Sequence, residues 1–195
     1  MDVRRLAPGL WCWTAPHPAW RPGADWPERV GCVYYEAADA VVLIDPLLPR
    51  GEEDEFFRYL DADVDRLGRP VKVLLTAPWH RRDADRLVKR YGASVGGALS
   101  AGVEALPVEP VEEGQVAYFI RPHQALVVAE LFMGDGRGGL VLWPSPSLMD
   151  RAALDQTLQS LLDLPVELVL PGHGEPVLRD GRAAIELALR EHLPT

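Results

Sequence analysis

The sequence predicts an α+β fold, a four-layer αββα sandwich, because short β-like runs followed by amphipathic helices occur twice along the chain. Three observations carry this reading. Apolar runs of four or five residues end in Gly, Pro or Asp; apolar residues recur at spacings of three and four between them; and glycines stop the helical stretches. The first third alternates β-like runs, Leu10 to Thr14, Cys32 to Tyr35 and Val41 to Ile44, with a long Pro/Trp-rich loop from Ala15 to Arg29. Gly51 and the acidic Glu52 to Asp54 open a helix carrying Phe56, Phe57, Leu60, Val64 and Leu67, which Gly68 ends. Val71 to Leu75 reads as a strand with a polar break at Lys72. Asp83 is placed to N-cap a helix bearing Leu87, Val88 and Tyr91, stopped by Gly92.

The second half repeats the order. Short strands are expected near 93–95 and 106–108, then a hairpin of Val116 to Ile120 and Ala125 to Val128 around Arg121-Pro122-His123-Gln124. Gly134 to Gly139 reads as a loop before a strand at Leu140 to Trp143. Asp150 is expected to cap a helix with Leu154, Leu158, Leu161 and Leu162. Val166 to Leu170 is a buried strand, and Asp180 opens a last helix along Ala184, Ile185, Ala188 and Leu189.

Composition narrows the function classes. At 195 residues, 48% of them hydrophobic, the chain reads as one soluble globular domain over residues 1–195 or two merged halves. A net charge of −9 with scattered basic residues argues against nucleic acid or an anionic membrane as partner, leaving a small molecule. The start, Met1 to Arg5, leads into a Pro/Gly/Trp-rich stretch rather than a signal-peptide core, so a cytoplasmic protein is expected. Cys12 and Cys32 are too few for a thiolate zinc site and read as two buried thiols in strands.

Chemistry concentrates at two turns. Val169-Leu170-Pro171-Gly172-His173-Gly174 ends a buried strand in Pro-Gly and aims one imidazole from the sheet edge between glycines. Val41-Val42-Leu43-Ile44-Asp45-Pro46 and Val73-Leu74-Leu75-Thr76 are strands that end in Asp and Thr, the second followed by the turn Thr76 to Asp83. In this order and spacing the segments resemble the metallo-β-lactamase superfamily, over nearly the whole chain from Leu10 to Leu189.

The resemblance implies a metal-dependent hydrolase ancestry, and the turn Thr76 to Asp83 departs from it. The superfamily spells His-x-His-x-Asp-His there. With His80 on the second His, Pro78 falls on the first, Arg82 on the Asp and Asp83 on the last His. Proline offers no side-chain ligand and arginine is not deprotonated to become one. A further family His falls on Val111, so it is absent. Glu130 falls on the bridging Asp by distance from the Pro122-His123 turn, and Asp135 is the rival in Phe132-Met133-Gly134-Asp135.

Two readings follow from the resemblance. In one, Asp83, Glu130 and His173 hold one divalent metal (zinc, iron or manganese) and His80 is a fourth ligand or general base for hydrolysis of an ester, thioester or phosphoester. In the other no metal binds, and Arg82 replaces its charge by pairing with Glu130 or Asp83 in a binding or regulatory module. The catalytic candidates are therefore His80, Arg82 and Asp83. His17, between Trp13 and Trp20, and Trp79 beside His80 are the candidates for a substrate pocket.

Overall fold

A computed structural model describes residues 2–108, 114–143 and 151–192; Val111 and Asp150 lie outside them, as does the side chain of His192. The chain divides into two compact units, one of residues 1–75 and 79–102 and the other of residues 76–78 and 103–195. Each unit has a main sheet with two helices packed on it, which gives the α+β class the sequence predicts.

The first unit has six strands in sequential order: β1 (Asp2–Ala7), β2 (Leu10–Pro16), β3 (Arg29–Glu36), β4 (Val41–Ile44), β5 (Val71–Leu74) and β6 (Ser94–Val95). The first four pair antiparallel. β4, β5 and β6 run parallel, which requires the crossovers supplied by α1 (Glu53–Leu67) and α2 (Ala84–Tyr91). β4 is buried at all four positions, as expected of a strand in the middle of a covered sheet. Both helices stop where expected: Gly68 and Gly92 adopt left-handed φ of 60° and 64°, and each N–H bonds back to a carbonyl four residues earlier. The polar break in β5 is satisfied because Lys72 Nζ donates to the Ala98 carbonyl at 2.7 Å.

β1 is an addition to the sequence reading. Its Arg4 and Arg5 hide any period, and its four leading residues are exposed, as suits a charged strand at a sheet edge. Only pairing with β2 makes it a strand.

The second unit has a four-stranded sheet in the order β12-β9-β8-β7, with β7 at Val103–Pro107, β8 at Val116–Ile120, β9 at Ala125–Val128 and β12 at Leu168–Pro171. The β8–β9 hairpin turns through a single 3-10 turn, Arg121–His123, as read from the sequence. β12 runs parallel to β9, pairing Leu168 with Ala125 through Pro171 with Val128. A separate ribbon, β10 (Phe132–Gly134) and β11 (Leu140–Leu142), brackets the Gly-rich segment. The core contains Phe119, Leu126, Leu131 and Phe132, and α3 (Arg151–Leu162) and α4 (Gly181–His192) add Leu154, Leu158, Ile185 and Ala188 to it. Among the described residues no helix is long and apolar enough to cross a membrane.

Candidate metal centre

In the first unit the parallel pairing of β4 with β5 brings two strand ends together. β4 runs into Asp45, whose N–H donates to the Leu74 carbonyl at the end of β5. A 3-10 turn, Pro78–Arg81, then delivers His80 with both side chains buried, and His80 Nδ1 lies 3.0 Å from Asp45 Oδ2. A carboxylate in its ionised form only accepts, so with it Nδ1 carries the proton, and a neutral ring then has its lone pair at Nε2, where it can serve as a ligand. Asp45 is the residue that sequence reasoning passed over. Its place at the end of a strand was visible; its partner 35 residues away was not.

Arg82, expected to pair with Glu130 or Asp83, and Asp83, expected to be a metal ligand, make the following bonds. Arg82 Nη1 donates to the carbonyls of Gly31 at 2.9 Å and Asp45 at 2.8 Å, and lies 3.7 Å from Cys32 Sγ. Asp83 sits at the N-cap of α2, but its side chain makes no capping bond. Its Oδ2 instead accepts from the Leu48 N–H at 2.8 Å.

His17 organises its own loop. Its N–H donates to the Glu28 carbonyl at 2.8 Å, its Nδ1 accepts from the Ala19 N–H at 3.2 Å, and its ring stands edge-on to Trp26 at 5.3 Å. Trp13 packs on the core side of the sheet strand that precedes this loop. It is buried, donates from Nε1 to the Leu47 carbonyl, and lines an apolar cavity of about 420 Å³ with Trp11, Tyr34, Phe56 and Leu60. Trp79 is 46% exposed, with its ring edge-on to His80 at 6.2 Å.

In the second unit the β12–β9 register decides the geometry. Gly172 N–H donates to the Val128 carbonyl, and two residues beyond the last pair stand His173 and Glu130. Both are buried, with His173 Nε2 3.7 Å from Glu130 Oε1 and the Trp143 ring 5.2 Å from the imidazole. Asp135 is used differently: its Oδ1 accepts from the N–H groups of Arg137 and Gly139, which holds its carboxyl below the usual range and shapes the β10–β11 turn.

Among the described residues the His, Cys, Asp and Glu side chains that could hold a metal ion are His80 in the first unit and Glu130 and His173 in the second, all buried. Two imidazoles and a carboxylate are a donor set that zinc, iron and manganese accept. Asp83 and Asp135 are outside this group.

The two cysteines differ. Both are thiols, Cys12 partly exposed and Cys32 buried. Burial pushes the Cys32 thiol from its ordinary 9.0 up to about 11, against the pull of Arg82. Since the thiolate is the nucleophile, iodoacetamide at about pH 8 is expected to label Cys12 and spare Cys32. Mass spectrometry of the intact protein reads this, and two labels on folded protein would contradict it. A raised folded pKa means the neutral Cys32 thiol contributes stability below pH 9.0, lost as pH rises through about 11.

No protein-family model matches this sequence, and no curated protein matches it. Solved structures do. A metallo-beta-lactamase from Pontibacter korlensis is similar with a TM-score of 0.59 at 14% identity, over 100% of this chain and 99% of that one. A metallo beta lactamase from Erythrobacter litoralis gives 0.59 at 12% identity, over 96% and 89%. DIM-1 metallo-beta-lactamase gives 0.55 at 9% identity, over 96% and 99%.

Proposed function

We propose that this chain, which has the metallo-β-lactamase fold, is a hydrolase-like protein that holds one divalent metal through His80, Glu130 and His173. The observation that carries the reading is that His80, Glu130 and His173 are buried side chains of metal-ligand type, with His80 Nδ1 held by Asp45. A metal-binding imidazole usually gives its other nitrogen to a carboxylate or carbonyl, and the Asp45 bond to Nδ1 is that arrangement.

The donor set supports one metal rather than two. Two-metal sites of this fold draw on the full His-x-His-x-Asp-His spelling, and here Pro78 and Arg82 occupy two of its positions. A bound divalent ion would supply Lewis acidity toward an ester, thioester or phosphoester oxygen and acidify water. The chain's own residues do the rest: Glu130 supplies the anionic donor, His80 and His173 neutral ones, and Asp45 fixes the His80 tautomer. The substrate is a small molecule of one of those three classes. Arg82 gives no support to the metal-free reading, since its Nη1 is held by the Gly31 and Asp45 carbonyls.

Metal analysis of protein purified without chelator or histidine tag tests this. About one equivalent of zinc, iron or manganese per chain is expected, and less than about a tenth would refute the reading.

A further inference from the structure

We propose that Arg82, standing where the superfamily has a metal-ligand Asp, is a positioning residue that clamps Asp45 and through it sets the tautomer and direction of His80. The functional consequence rests on His80 being a ligand; the clamp itself does not.

The geometry is specific to this pair. Asp45 and Arg82 have left-handed φ, 49° and 39°, a conformation that residues with a Cβ resist. Such strain persists where the surroundings over-determine it, and here the two strained residues bond to one another. The Arg82 guanidinium takes the Asp45 carbonyl at 2.8 Å and the Gly31 carbonyl of β3 at 2.9 Å, tying the peptide that follows Asp45 to the sheet.

Neighbouring bonds secure the same segment. Asp83 N–H donates to the Pro46 carbonyl, Asp83 Oδ2 accepts from the Leu48 N–H, and the Leu47 N–H points to Cys32 Sγ at 3.3 Å. Residues 45–48 are thus held from 82–83 and from β3. With the Asp45 backbone fixed at both its N–H and its carbonyl, its carboxylate starts from a held position, and its Oδ2 stands 3.0 Å from His80 Nδ1. A guanidinium suits the task because it is always charged, and its Nη1 alone reaches both carbonyls.

The test uses metal-free protein, so that its failure and that of the metal reading are separable. Long-range proton–nitrogen spectra of the His80 imidazole are recorded for the natural chain, Arg82→Asn and Arg82→Lys. Asn tolerates left-handed φ but is too short to clamp. The natural chain is expected to show one tautomer, protonated at Nδ1; Arg82→Asn a mixture; Arg82→Lys a partial return. A residue that only staples the fold would lower Tm and leave the tautomer unchanged, and an unchanged spectrum in folded Arg82→Asn overturns the proposal. Should Arg82→Asn fail to fold, Arg82→Gln, which keeps more of the stem, is read the same way. Where the natural chain binds metal, Arg82→Asn is expected to weaken its affinity roughly 10–100-fold, the range for losing an outer-shell partner.

Discussion

His173→Ala is expected to abolish metal retention, with affinity falling more than about a hundred-fold, beyond the range for outer-shell changes. The reason is the donor count. Three protein ligands already leave an open coordination position, and two do not hold a divalent ion against water. Glu130→Gln should act in the same direction, because it removes the anionic donor next to His173. Asp83→Asn should behave differently. Asp83 Oδ2 serves the Leu48 N–H, so this variant is expected to keep its metal while losing some stability. Equilibrium titration with zinc, with circular dichroism to confirm folding, measures all three. Metal loss in all three variants would exchange the ligand set proposed here for the one of Asp83, Glu130 and His173, and retention in His173→Ala would refute both.

Gly134→Ala is expected to be severe for a change of one methyl group. A Cβ at Gly134 would sit 2.2 Å from the Glu175 carbonyl oxygen and 2.4 Å from its nitrogen, backbone atoms that have no rotamer to escape into. Gly174, at φ 77°, packs from the other side, with a Cβ there meeting the Gly134 oxygen at 2.5 Å. The Gly134 N–H also donates to the His173 carbonyl at 3.0 Å, so β10 and the His173 turn share one close backbone contact. Overpacking of this kind costs about 1–3 kcal/mol. For a chain of this size that lowers Tm by roughly 2–12 °C. Because the displaced turn carries His173, metal affinity should fall with it. Gly136→Ala is the control, since nothing lies within 4 Å of a Cβ there, although its φ of 73° still carries some strain. A Gly134→Ala melting curve that overlays the natural one would refute the packing argument.

Some of the site was legible because its signals are local. The Pro-Gly-His-Gly turn marks a strand end, and the distance from the Pro122-His123 turn points to Glu130 as the carboxylate beside it. The structure gives that spacing its meaning, since the parallel register of β12 on β9 carries Glu130 and His173 to the same end of one sheet. Asp135 was the rival on local spelling. The turn it shapes accounts for its carboxylate, through bonds to two N–H groups within four residues.

What the sequence by itself determined is the α+β class, the helix ends at Gly68 and Gly92 and the β8–β9 hairpin, and it offered His80, Asp83, Glu130 and His173 as candidates. These rest on periods, caps and turns that act over a few residues. The tertiary structure alone decided that β1 is a strand, that Gly134 belongs to one, that Asp45 holds His80, and that Arg82 serves carbonyls. The physical reason is the same in each case. A hydrogen-bond partner 35 or 51 residues away, or a backbone packed within a Cβ of another, leaves no trace in local periodicity.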